Sequence, residues 1–391
     1  MQWGQTPFDD LYAALGGGMR GYMKIKHDTL SDLSLSYPLG QIAPLESILL
    51  LDIETTGFTA NSSYLYLIGC AYYAEGAWRT TQWLAESYAE EKDLLDAFLA
   101  FADPYDCLIH YNGNQFDLPF LMQKCEQLNI PHELQTYQGV DLYKRIAPCK
   151  DFLALPNCKQ KTLESFLGYE REDVFSGGEL IGIYHEYVKN PSDFAENSLF
   201  LHNLDDLKGM LRILPILSYS DLISDATSLR AKKVQANSYR DLQGNVRREL
   251  LITIALPNTL PKPVSLSANN CFFRGEGNEA TIRVPVFDGE LKYFYANYKD
   301  YYYLPEEDIA LHKSVASFVD KEHRTQAAAS NCYTRKVSSY LPQWSGAFTP
   351  YFKQDYQSKE LYFELTDAFK KDRAAFARYA EEIFRMLAKS R

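Results

Sequence analysis

The chain of 391 residues contains no uninterrupted apolar run of membrane-spanning length, and its start has no basic segment followed by an apolar core. That excludes a spanning helix of the usual kind and predicts a cytoplasmic protein. Cysteine is sparse and unpatterned: Cys70, Cys107, Cys125, Cys149, Cys158, Cys271 and Cys332 are odd in number and form no Cys-x-x-Cys pair. Their arrangement argues against both a disulfide framework and a structural zinc site, and predicts reduced, mostly buried thiols. Positive charge is in deficit, with a net charge of −11. A chain of this balance cannot grip a polyanion over its whole surface, so any contact with nucleic acid must be local. No repeat of helical-array length is present. What remains is an ordinary globular composition, 46% hydrophobic and 23% charged, long enough for two or three domains.

The most informative stretch is Asp52-Ile53-Glu54-Thr55-Thr56-Gly57, which follows the apolar run Ile48-Leu49-Leu50-Leu51. Side chains alternate along a strand, so Asp52 and Glu54 share a face, roughly 6 to 7 Å apart. Two anions at the mouth of a buried strand repel each other and are costly to desolvate, which points to a divalent cation between them. Taken alone, the triplet is also what a strand end entering a polar turn looks like.

The pattern predicts strands at 48–54, 64–74 and 78–84, the last two joined by a turn at Glu75-Gly76, then a helix at 89–102 and a strand at 107–111. Helices are expected at 161–167, 179–189 and 192–214. After about residue 245 the texture becomes β-rich, with strands at 250–256, 281–286 and 291–295, turns at 275–278 and 288–289, and helices near 308–319 and 366–388. The expected division is an N-terminal lead-in (1–45), an α/β domain with a mixed sheet flanked by helices (46–225), a basic linker or helix (226–248) and a C-terminal β-rich α+β domain (249–391). Within 229–249, six cations, Arg230, Lys232, Lys233, Arg240, Arg247 and Arg248, face two acids. This is a candidate nucleic-acid contact or a solvated charged surface.

Two further stretches carry chemistry. Asp117 follows the strand end Tyr111-Asn112-Gly113-Asn114 and opens a helix, where it is either a site carboxylate or a cap. In His202-Asn203-Leu204-Asp205-Asp206-Leu207, the leucines mark the core face, and His202 and Asp206 lie one turn apart on one side. Asp205 shares a flank with Lys208 and Arg212, so it is assigned to a surface ion pair and Asp206 to the site.

In this order, Asp52 and Glu54, then Asp117, then His202 with Asp206 resemble the motifs of the DEDD superfamily of 3′ to 5′ exonucleases, DnaQ-like enzymes with a ribonuclease H-like fold. More narrowly, "LLLDIETTG", "HYNGNQFDLPFL", "KTLESFLGYEREDVFSGGELIGIYHEYV" and "HNLDDL" look like the YprB-type exonuclease domain of Firmicutes, a likeness spanning about 47–215. Histidine-type members of the superfamily commonly place that histidine five residues before the last aspartate; here it precedes by four, a spacing the YprB-like proteins share.

The resemblance implies that Asp52, Glu54, Asp117 and Asp206 hold two Mg²⁺ or Mn²⁺ ions, hard cations suited to carboxylate oxygen, and that His202 acts as general base. Thr55 and Asn112 are candidate contacts to the terminal nucleotide, with a strand-end threonine and a turn asparagine as the plainer reading; Arg230, Lys232 and Lys233 are candidate substrate contacts. The expected substrate is DNA with single-stranded or frayed 3′ ends, in DNA repair, with a helicase or other repair protein as partner. RNA exonuclease activity and a non-catalytic nucleic-acid or protein adaptor are the alternatives. Tyrosines 293, 295, 298 and 301–303 could stack on bases or form the core of a small sheet.

Overall fold

Leu49, Leu51 and Ile53 are buried among apolar partners on one face of strand β2 (Ile48–Thr55), which turns Asp52 and Glu54 to the other face. In the computed structural model, which describes residues 23–31, 33, 35–224 and 229–390, β2 lies inside a six-stranded mixed sheet of order β1-β4-β3-β2-β5-β6. Its strands are β1 (Lys24–Leu30), β3 (Leu65–Ala74), β4 (Ala77–Leu84), β5 (Cys107–His110) and β6 (Gln138–Asp141). β1, β4, β3 and β2 run antiparallel to their neighbours, whereas β2, β5 and β6 are parallel. Helices α1 (Glu91–Ala102) and α2 (Asp117–Leu128) pack on one face. On the other face, α5 (Gly177–Lys189) and α6 (Asp193–Ile213) bury Tyr184, Tyr187, Leu199 and Phe200 against Tyr66, Leu67 and Leu84. Between these pairs come α3 (Leu142–Ile146) and α4 (Gln160–Leu167).

Two compact units result. One comprises the described residues up to Ala147 together with Pro156–Leu214; the other comprises Pro148–Leu155 and the described residues from Pro215 on. The second unit opens with α7 (Leu217–Ser224) and is built on an antiparallel sheet of β7 (Arg230–Arg240), β8 (Val246–Ala268), β9 (Cys271–Phe294), β13 (Tyr333–Gln343), β14 (Tyr351–Phe352) and β15 (Leu361–Glu364), in the order β14-β15-β13-β9-β8-β7, with the β7–β9 ribbon forming its longest part. The same unit holds a three-stranded sheet of β10 (Tyr301–Leu304), β11 (Ile309–His312) and β12 (Thr325–Gln326), in the order β11-β10-β12. A last helix, α8 (Arg373–Lys389), buries Phe376, Tyr379, Ile383, Phe384 and Leu387. Among the described residues no helix is long and apolar enough to cross a membrane. Of the seven cysteines, six are buried.

The α/β layer thus matches the sequence pattern, but the second half needs four corrections. The basic segment expected as linker or helix is the edge strand β7, paired with β8 through a turn at Asp241 and Gly244 (φ +84°). Gly275–Asn278, expected as a turn, lies inside β9; Gly277 (φ +58°) pairs with Leu260 at a register shift, and a Cβ on Gly275 would stand 2.8 Å from Leu260 Cδ1. Asp288-Gly289 pairs with Ser339 and Ser338 in mid-strand. The helix expected near 308–319 is strand β11 (Ile309–His312) and a single helical turn, Lys313–Ala316. Of the lead-in, Lys24–Leu30 is an edge strand paired with β4. Gly16–Gly18 and the start of the 226–248 segment lie outside the described residues. Several tyrosines of the aromatic run are engaged in packing: Tyr295 stacks on Tyr301 at 4.7 Å between centroids, and Tyr303 and Tyr333 both donate to Asp308 Oδ1.

Candidate active site

β2 pairs with β5 only over Ile48–Leu50, so Asp52 and Glu54 project beyond that pairing at the carboxyl end of the sheet. The carboxyl ends of strands are where open α/β sheets bind ligands. The next parallel strand, β5, ends at His110 and leads through Asn112 (φ +63°) to Asp117, the first residue of α2. The turn is held from below by buried Asp141, whose carboxylate accepts the N–H of Asn112 (3.0 Å) and caps Lys144 N–H (3.2 Å).

The third contribution comes from α6, which crosses β2, β3 and β4. Its close approach depends on Gly69, the partner of Asp52 across the strands, because a Cβ there would lie 1.8 Å from Asn203 Oδ1. Asn203 is fully buried; its Nδ2 donates to Asp52 Oδ2 (2.7 Å), and its Oδ1 accepts from Gln82 Nε2 (2.8 Å). At the preceding position of the helix, His202 Nε2 stands 3.6 Å from Glu54 Oε1 and 3.4 Å from Asp206 Oδ2, one turn further on. One ligand atom from each of Glu54, His202 and Asp206 falls within 4.8 Å of the others.

A loop after α4 closes the back of this cluster. Arg171 donates through Nε and Nη2 to both oxygens of Glu164 (2.6 and 2.7 Å), and its Nη1 pairs with Asp206 Oδ1 at 2.8 Å. Asp173, its side chain 1% exposed, takes His202 Nδ1 at 2.8 Å. Asp205 is not the surface ion pair expected from its flank: it is 2% exposed and accepts the backbone N–H groups of Glu172 and Asp173, both at 2.9 Å. The loop folds over that flank of α6, and an anion there ties down two amides that would otherwise be buried unpaired.

The electrostatics are those of crowded anions. Burial first, then the charges of Asp206, Glu54 and Asp117, pushes the Asp52 carboxyl well above its usual range. Glu54 is likewise raised well above its usual value by burial, Asp206, Asp117 and Asp173, with Arg171 opposing. Burial lifts Asp117 to about 7, Asp141 and Asp206 adding to it and the backbone N–H groups of Asp117 and Ile53 pulling it down. Asp173 goes the other way: despite burial, the Phe175 N–H and His202 hold it below the ordinary carboxylate value. Three acids made reluctant to ionise, beside a histidine whose ring is fixed from behind, form a donor set of oxygen with one nitrogen that fits a divalent cation.

The structure therefore brings Asp52, Glu54, Asp117, His202 and Asp206 to one place. Thr55 Oγ1 donates to the Gly57 carbonyl (2.8 Å), a turn contact. Arg230, Lys232 and Lys233 are exposed on β7 in the second unit, and Lys232 pairs with Glu279 at 2.5 Å. Sequence reasoning did not single out Glu164, Arg171, Asp173 or Asn203. The signal was Glu164, Arg171 and Asp173 at fixed spacing within the stretch resembling the exonuclease domains. Phe58 was also missed; it is 91% exposed on the turn after Glu54, edge-on to Phe116 at 6.1 Å between centroids.

Residues 49–218 match the RNase H superfamily model RNase_H_2, so this region is an RNase H-like domain. No curated protein matches the chain. Among solved structures, the family B DNA polymerase of the hyperthermophilic archaeon Pyrobaculum calidifontis aligns over 65% of this chain and 35% of its own, at 13% identity and a TM-score of 0.36. The E. coli exonuclease I–ssDNA complex in its zinc-bound form aligns over 53% of this chain and 54% of its own, at 13% identity and a TM-score of 0.26. The chain thus spans about a third of the first and about half of the second.

Proposed function

We propose that this protein is a two-metal 3′ to 5′ exonuclease that hydrolyses single-stranded or frayed DNA ends. The observation that carries the proposal is the convergence of Glu54, His202 and Asp206 ligand atoms within 4.8 Å, beside Asp52 and Asp117, in an RNase H-like domain. Asp52, Glu54, Asp117 and Asp206 are the residues that would hold Mg²⁺ or Mn²⁺. When bound, such ions lower the pKa of water and offset charge on the phosphodiester.

The remaining groups orient these acids. Asn203 fixes Oδ2 of Asp52, and Arg171 fixes Oδ1 of Asp206 while Oδ2 faces His202. Phe58 offers a bare ring beside the acid-bearing turns, on which a base of any sequence can stack. Single-stranded ends arise where duplexes are opened, so DNA repair, with a helicase supplying the strand, is the setting proposed.

The test uses 5′-labelled DNA and matched RNA oligonucleotides with Mg²⁺, Mn²⁺ or EDTA, comparing wild type with Asp52→Ala. The expected result is a ladder of DNA shortened from the 3′ end, absent with EDTA and reduced at least ~100-fold in the variant, on the scale of losing a preorganised charge-stabilising group. A ladder on RNA alone transfers the activity to RNA. Binding without cleavage under either metal makes the domain an adaptor.

A further inference from the structure

We propose that the outer end of the β7–β8 ribbon is an arm that enters the major groove of double-stranded DNA and discriminates it from double-stranded RNA. The inference deepens the DNA reading above, on which it rests for the class of partner, and adds a duplex to the single-stranded end as what the chain recognises.

The ribbon outruns its core. Along β8 the alternation of buried Ile254, Ile252 and Leu250 stops before Arg248, and β9 pairs with β8 no further than that residue. Beyond it only β7 and β8 remain, paired as Tyr239 with Arg247 and Arg240 with Val246. Residues 235–240 and 242–247 are exposed, on both faces of the ribbon. A two-stranded hairpin has little stability of its own, and here polar contacts hold the turn. Asp241 Oδ1 accepts the N–H groups of Gln243 (3.0 Å) and Asn245 (2.8 Å), and Oδ2 pairs with Arg247 Nε at 2.8 Å. Arg240 Nη1 donates to the Gly244 carbonyl (2.9 Å). These bonds fix the turn and leave Leu242 fully exposed at its apex, with Tyr239 and Val246 exposed behind it.

Dimensions select the partner. Two strand residues and the turn reach roughly 10 Å past the three-stranded part of the sheet. The major groove of B-DNA, about 12 Å wide and about 8.5 Å deep, admits a two-stranded ribbon; the minor groove, about 6 Å wide, does not. The major groove of an A-form RNA duplex is too narrow for side chains to read. Charge points the same way, since residues 229–249 carry six cations against two acids in a chain of net charge −11. Strand alternation puts Arg240 and Arg247 on opposite faces of the ribbon, one toward each phosphate wall of a groove. Each uses one N–H on the turn and keeps the rest of its guanidinium for phosphate. Gln243 and Asn245 bring amides to the tip for base edges, and Leu242 an apolar side chain for the thymine methyl. An anionic membrane also attracts arginines around an apolar tip, but one leucine between amides inserts too little apolar surface to hold there.

The experiment measures fluorescence anisotropy of the full-length protein in EDTA, where no cleavage runs, on a blunt DNA duplex and the matched RNA duplex over a range of salt. Flotation with phosphatidylglycerol vesicles and dimethyl sulfate footprinting of guanine N7, on the major-groove floor, accompany it. Wild type should bind the DNA duplex at least ~10-fold more tightly than the RNA duplex and protect N7. Arg240→Gln should lower the slope of log affinity against log salt by about 1. Leu242→Ser should weaken binding roughly 5- to 10-fold and leave that slope unchanged. Equal affinity for the two duplexes in wild type overturns the proposal and needs no variant to fold, as does DNA binding without N7 protection. Unchanged binding in both variants overturns it, and vesicle binding in place of duplex binding transfers the arm to membranes. The nuclease reading is scored separately, with Mg²⁺ or Mn²⁺ present. Duplex DNA selection without degradation supports the arm while removing the nuclease, whereas degradation without duplex selection removes only the arm.

Discussion

Asp117 measures the charge the site stores when no cation is bound. Its carboxyl, lifted chiefly by burial to about 7, titrates near 3.9 in an unfolded chain, so between those values the folded protein holds the extra proton. The sign follows: the stability this group contributes is complete below about pH 4 and is lost as pH rises through 7, an upper bound of about 4 kcal/mol. In EDTA, Asp117→Asn should therefore gain in melting temperature relative to wild type between pH 4.5 and 7.5, and saturating Mn²⁺ should close that gap by favouring the ionised wild-type site. Calorimetric melts at the two pH values check this, and a gap that does not move with pH refutes it. Asp117 was legible in the sequence, as were Asp52, Glu54, His202 and Asp206, because each lies in a short motif on an element whose face is set by period. Arg171, Asp173 and Asp205 were not. They act across a loop, and no local pattern says which way a loop folds over a neighbouring helix; Asp205 looked like a surface residue because its covering, 172–173, is 32 positions or more away.

At the scale of elements, the site depends on how closely α6 can approach its neighbours, and two glycines set the distance. Gly69 admits Asn203 from α6 to the strand; Gly209 admits α4, since a Cβ there would stand 2.0 Å from Glu164 Oε1 and 2.5 Å from Gln160 Nε2. Glu164 holds Arg171, and Gln160 donates to the Asp206 carbonyl (2.8 Å), so pushing α4 away loosens Asp206 through both. Gly209→Ala should cost about 1 to 3 kcal/mol as overpacking, and should lower the cleavage rate at saturating DNA. Gly182, in α5 with nothing within 4 Å of its would-be Cβ, is the control: Gly182→Ala should be neutral or stabilising by up to about 1 kcal/mol, through helix propensity alone. Urea melts and single-turnover rates separate the outcomes, and equal behaviour of the two variants would remove Gly209 from the argument. Among the helices of the first unit the sequence pattern located α1, α2, α4, α5 and α6 within a few residues, and it missed the short α3. It failed for β7, whose side chains are mostly exposed on a sheet edge and so carry no alternation to read.

At the scale of the molecule, the chain passes between its two units more than once. Pro148–Leu155 belongs with the second unit although residues on both sides of it belong to the first. Within that segment Cys149, Phe152 and Leu155 are buried, and the Phe152 ring lies 6.2 Å from both Tyr219 and Phe384 between centroids. A chain ended at Leu214, the last residue of the first unit, would strip Phe152 of both rings. Such a truncation should bind a hydrophobic dye and associate in gel filtration, while Phe152→Ser with Leu155→Ser in the same truncation should restore a monomer by removing the exposed apolar surface. In the full chain the same two changes should act oppositely, destabilising by roughly 3 kcal/mol or more, because there the side chains fill a core. A truncated wild-type sequence that stays monomeric and does not bind the dye would show instead that Pro148–Leu155 is a passive tether.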